Sequence, residues 1–294
     1  MVLYNPKEWA TAIFRFHKAD TFRVLLPSMI FIALYSWAIY YIETQYLKLG
    51  ENSHAKNLPI LHSLLGFAIS MLLVFRTNTA YERWWEGRKL WGSLINNSRN
   101  LAMKLNVNIP GDNQHSRHFF RQIIPMYAFA LKRHLHKETT QFALDEQPHP
   151  ELPELNSHSH LPNKLAESML SEINRLHREK QISDIQLLML NNEWQSFTDI
   201  CGACERIKNT PIPFSYSSFI KKFIFMYVIT MPFGFVFSLG LFTIPVTAFM
   251  FYILASLELI AEEIEDPFGK DSNDLPMEKI AENIRGNVRD ILAA

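Results

Sequence analysis

Net charge is the first thing missing: 29 basic side chains balance 29 acidic ones across 294 residues. Without a basic surplus there is no electrostatic basis for holding nucleic acid. A disordered chain needs low hydrophobicity and high net charge, and 48% hydrophobic residues exclude that. Two cysteines are too few for a disulfide scaffold. Phosphate-binding loops, G-x-S-x-G, H-E-x-x-H and dinucleotide patterns are all missing. Nothing argues for an enzyme, and no cofactor is expected.

Charge is also missing locally. Val24 to Ile42, Leu58 to Phe75 and Phe223 to Leu257 contain no Asp, Glu, Lys or Arg over 19, 18 and 35 residues. About 20 apolar residues span a hydrocarbon core, so the first two runs fit one crossing each. The third is too long for one helix and predicts two crossings joined by a turn near Ser238-Leu239-Gly240. Four transmembrane helices follow, over 24–43, 58–76, 223–239 and 241–262.

Orientation follows from the positive side chains flanking the spans. Lys7, Arg15, Lys18 and Arg23 precede the first, Arg76, Arg83, Arg88 and Lys89 follow the second, and Lys221 with Lys222 precede the third. Both termini are therefore expected in the cytoplasm of a multi-pass membrane protein. Residues 1–23 read as a cytoplasmic, interfacial N-terminal segment, with Trp9, Phe14 and Phe16 among charges and no cleavable signal. Residues 77–222 form a cytoplasmic helical region, and 263–294 a cytoplasmic turn and helix.

Helical periodicity runs through Leu90, Leu94, Leu101 and Leu105, and again through Phe120, Ile124, Tyr127 and Leu131. Asn-Ile-Pro-Gly-Asp at 108–112 is the turn between them. His136 to Pro162 is a polar, proline-bearing loop, after which helices resume at Leu165 and Asp184 and end at Thr-Pro-Ile-Pro, 210–213. Ile280, Ile284 and Val288 mark a last helix. No strand pattern is visible, so the fold class is all-α.

Within the second span, Phe67, Met71 and Phe75 share one helix stripe, with small Gly66, Ala68 and Ser70 beside it. Around a symmetry axis such a stripe becomes three apolar rings, a constriction that passes or blocks ions as it wets or dries. The same spacing also describes an ordinary packing face. Cys201-Gly-Ala-Cys204 has a redox spacing but lies in an apolar-periodic helix, as buried small hydrophobes do. His134 with His136, and His115 with His118, have ligand spacing but no matched carboxylate or cysteine nearby in the sequence, which argues against zinc. The acidic stretch 262–266 and the turn through Asp274 read as a hard-cation site or as a solvated cap opening the last helix.

Three segments resemble the bestrophin family, in its bacterial branch. They are Gly66-Phe67 with Arg76-Thr-Asn-Thr-Ala-Tyr-Glu-Arg-Trp-Trp-Glu-Gly-Arg-Lys-Leu-Trp-Gly92, then Ile212-Pro-Phe-Ser-Tyr216, then Glu262 through Asp266-Pro-Phe-Gly269. The resemblance implies a homopentameric channel in the lipid bilayer that passes small monovalent ions through a central pore. In register with Arg83-Trp84-Trp85, the family's neck falls on Phe67, Met71 and Phe75. Its cytosolic aperture falls on Ile185, with Ile182 as the alternative register. Animal members carry a calcium clasp after Pro-Phe-Gly; here it thins to Lys270, Asp271, Ser272, Asn273 and Asp274, leaving Asp271 and Asp274 as candidate ligands. The family conducts anions in its animal branch, and monovalent cations are the alternative for bacterial members. A second reading is a non-conducting membrane scaffold or sensor whose cytoplasmic helices bind a partner.

Overall fold

The computed structural model describes residues 21–46, 57–136, 160–271 and 273–293, and every described element is helical. In order they are α1 (Thr21–Tyr41), a π-helical turn (Ile42–Tyr46), α2 (Leu58–Asn108), α3 (Gln114–Leu135), α4 (Leu161–Arg178), α5 (Asp184–Asn209), α6 (Phe214–Leu239), a 3-10 turn (Gly240–Phe242), α7 (Thr243–Glu265) and α8 (Met277–Ile291). The expected interfacial segment falls largely outside the described residues, as do most of the connection between the first two spans and of the polar loop after His136. Among the described residues, three stretches are long and apolar enough to cross a membrane: Thr21–Tyr46, Leu58–Asn108 and Phe214–Glu265.

The last of these folds back on itself. Gly240 adopts φ 53, a left-handed conformation that only glycine enters without strain, and this ends α6 at the expected turn. The reversal brings Lys221 near the start of the hairpin to Glu262 near its end, with Nζ 2.8 Å from Oε2.

The helix of the second span continues past residue 76. No proline lies between Pro59 and Pro110, so nothing ends the helix, and α2 continues unbroken for 51 residues, a contour of about 76 Å at 1.5 Å per residue. Over the described residues the chain divides into two compact units, Met1–Arg83 with Pro211–Asp266 and Trp84–Thr210 with Pro267–Ala294. In the first, Ile69 and Leu73 of α2 pack with Ile32, Ile220, Ile224, Val228 and Leu254. Small side chains permit this closeness: a Cβ on Gly66 would come within 3.0 Å of the Tyr227 hydroxyl. Buried hydroxyls tie the helices, Ser256 Oγ donating to Thr21 Oγ1 at 3.0 Å and Tyr35 to the Ile229 carbonyl at 3.1 Å.

The second unit has a larger core, centred on Trp91, Leu101, Phe120, Tyr127, Phe197 and Phe268. Its helices begin on defined caps. Asn113 accepts from the Ser116 N–H at the start of α3, and Ser183 with Gln186 forms a reciprocal capping box on α5. Helix α4 opens at Leu161, four residues before the periodicity resumes, because Pro162 suits a first turn whose N–H groups are unpaired anyway.

Candidate conduction path and its polar anchor

Helix α2 presents two unlike faces. Ile69, Leu73, Arg76 and Ala80 are buried within their own unit. Phe67, Met71 and Phe75 lie on the opposite side and stay 74%, 52% and 53% exposed. Between them, Ser70 returns its hydroxyl to the Gly66 carbonyl at 2.7 Å and so leaves the stripe apolar. A row of large apolar side chains that its own subunit leaves uncovered faces lipid or another copy.

Ile182 and Ile185, the two candidates for the cytosolic aperture, differ sharply. Ile182 is 4% exposed and belongs to the core of the second unit. Ile185, in the first turn of α5, is 72% exposed, with Leu188 and Met189 also open one turn on. Of the two, Ile185 alone has a side chain that its own chain leaves uncovered.

The acidic stretch after the last span is tied into the fold by hydrogen bonds and ion pairs of its own. Glu265 accepts from Arg76 Nη2 and from the Ile212 N–H, both at 2.7 Å, through its two carboxylate oxygens. Its backbone carbonyl accepts from Arg83 Nε at 3.1 Å. The Arg76 guanidinium is 1% exposed, and a second carboxylate, Glu258 Oε2, stands 3.4 Å from its Nε. A charge this deeply buried needs paired, hydrogen-bonded partners. Sequence reasoning noticed both the arginine and the acidic run but not their pairing, 189 residues apart. The available signal was Glu258, an ionisable residue at the edge of an apolar span.

The turn that follows is closed by its own hydrogen bonds. The Asp271 N–H donates to the Asp274 carboxylate, the Leu275 N–H to the Pro267 carbonyl at 3.0 Å, and Trp84 Nε1 to the Asn273 carbonyl at 3.1 Å. Asp274 is buried and turned inward, so it does not cap α8, whose N-cap position is Pro276. Gly87 belongs to the same corner: a Cβ there would stand 3.1 Å from Pro267 and 3.2 Å from Phe268.

Cys201 and Cys204 are buried thiols that form no disulfide. Burial pushes the Cys201 thiol up to about 12, aided by the nearby Glu205 charge, which suits packing and not redox chemistry. The histidine expectation needs correction. His134 does have a carboxylate partner, Glu205, supplied by α5 from 71 residues away. His136 instead meets the Gly269 carbonyl at 3.1 Å, and His118 meets Arg121.

Known proteins resemble this chain in sequence and in fold. Residues 1–290 match the profile described as Bacterial/Fungal Bestrophin protein. A voltage-dependent anion channel-forming protein of Nostoc is 35% identical over 238 residues, covering 79% of this chain and 78% of that one. YneE of Escherichia coli K12, of the same description, is 31% identical over 285 residues, covering 97% and 91%. A crystal structure of a bacterial bestrophin homologue from Klebsiella pneumoniae superposes with a TM-score of 0.82 at 29% identity, covering 92% of this chain and 98% of that one. Three distant sequence segments meeting at one carboxylate, and a match over nearly the whole length, lead to one conclusion: the chain belongs to the bacterial and fungal bestrophin family.

Proposed function

We propose that the chain assembles as a homopentamer whose five α2 helices surround a passive pore for small monovalent anions. The observation that carries this is the uncovered Phe67–Met71–Phe75 stripe on a helix whose other face is fully packed. Brought to a common axis, the three rings form a narrow apolar neck where an ion sheds part of its hydration. Phenylalanine edges carry the positive side of the ring quadrupole and favour a passing anion. The relatives from Nostoc and Escherichia coli are named as anion channel-forming proteins, which supports the anion over the cation reading.

In this reading each subunit crosses the inner membrane four times with both termini cytoplasmic, and Ile185 forms a second constriction at the cytosolic exit. The path is driven by the electrochemical gradient and contains no catalytic step. Residues 77–222 and 263–294 form the cytoplasmic part. Reconstitution in planar bilayers under a potassium chloride gradient tests this directly. A reversal potential of the sign of the chloride equilibrium potential is expected. The potassium sign would replace the anion by a cation, and the absence of any current would leave the scaffold reading.

A further inference from the structure

The second unit carries a cluster that conduction does not use. His134 in the last turn of α3, His160 capping α4 and Glu205 on α5 converge on one point. Nε2 of His134 stands 2.6 Å, and Nε2 of His160 2.5 Å, from the same oxygen, Glu205 Oε1. The three ligand atoms all lie within 4.8 Å of one another, the only such group of three among the described residues. The two rings are 4.3 Å apart at their centroids, and all three side chains are partly open to solvent.

We propose that His134, His160 and Glu205 form a binding site for a divalent transition metal of the zinc type. Two imidazoles and one carboxylate are a donor set that zinc accepts, with a water or other ligand filling the remaining position. Tetrahedral zinc with bonds of about 2.0–2.1 Å separates its ligand atoms by about 3.3 Å. The cluster reaches that spacing if each ring retreats from Glu205 by less than about 1 Å. The three ligands come from separate helices held by one core, so little ordering is left for the metal to impose.

Metal entry has a local consequence. His160 Nδ1 accepts from the Asn163 N–H at 3.2 Å, so in the neutral ring the proton sits on Nε2 and points at Glu205. A metal on Nε2 moves that proton to Nδ1, where it opposes the Asn163 N–H and releases the cap of α4. Binding is therefore linked to the Asn163 amide. The proposal stands whether or not the protein conducts.

The test uses the full-length protein in detergent, stripped with chelator and equilibrated with micromolar zinc. One zinc per chain by elemental analysis, a raised melting temperature and faster hydrogen exchange at Asn163 are expected. Replacing both cysteines by serine should leave all three unchanged. His134→Ala, His160→Ala and Glu205→Gln should each weaken zinc binding at least tenfold. Cobalt in the wild type provides a check that does not depend on variant folding, since thiolate charge-transfer bands would identify the cysteines as the ligands. Such bands, no zinc uptake, or uptake unaltered in all three variants would overturn the assignment.

Discussion

Glu265 and Ile212 lie 53 residues apart in the sequence, and the backbone N–H of one donates to the carboxylate of the other at 2.7 Å. Because the second oxygen of Glu265 holds Arg76, one side chain joins α2, the chain entering α6 and the end of α7.

Glu265→Ala leaves the buried Arg76 charge with only Glu258 beside it and frees the Ile212 N–H. Removing one member of a buried pair costs about 3–5 kcal/mol, so a large drop in the melting temperature of the detergent-solubilised protein is expected. Glu265→Gln keeps an acceptor and should lose less. A wild-type melting curve for the alanine variant would show that the pair is not structural.

Phe67, Met71 and Phe75 make few contacts within their own subunit, so shortening them should leave the subunit fold intact. The triple alanine variant should raise single-channel conductance or open probability severalfold in bilayers. Wild-type currents from a normally assembled variant would remove these residues from the pore.

The two isoleucines of the α5 entrance predict opposite phenotypes. Ile182→Ala empties a core position and should cost about 2–5 kcal/mol of stability with little effect on selectivity. Ile185→Ala should leave stability within about 0.5 kcal/mol and shift the permeability ratio among anions. Equal reversal potentials for wild type and Ile185→Ala would exclude it from the ion path.

The Cys201 thiol, raised by burial to about 12, is neutral in the folded protein at physiological pH. The unfolded thiol ionises at about 8.5, so folding stability from this group is complete below that pH. It declines as pH climbs towards 12, because only the unfolded state then releases the proton easily. Maleimide labelling at pH 7.5 should accordingly be slow until the protein is unfolded. Rapid labelling of the native protein would contradict the burial.

Much of the architecture was legible in residue order alone. Charge-free runs of spanning length predict apolar helices, because unpaired backbone groups cannot face lipid. The Gly240 turn, the 108–112 turn and the 210–213 helix stop all followed from proline and glycine placement. The unbroken course of α2 was less visible, since its hydrophobicity changes abruptly at Arg76 while its backbone does not.

Periodicity determined that Phe67, Met71 and Phe75 share a face, because the helix repeat is a local property of the backbone. Which face stays uncovered was decided only by packing, as were the opposite exposures of Ile182 and Ile185. The Arg76–Glu265 pair and the His134–His160–Glu205 cluster belong entirely to tertiary structure. Their members sit on helices far apart in the chain, and side-chain chemistry at such separations meets only when a common core brings the helices together.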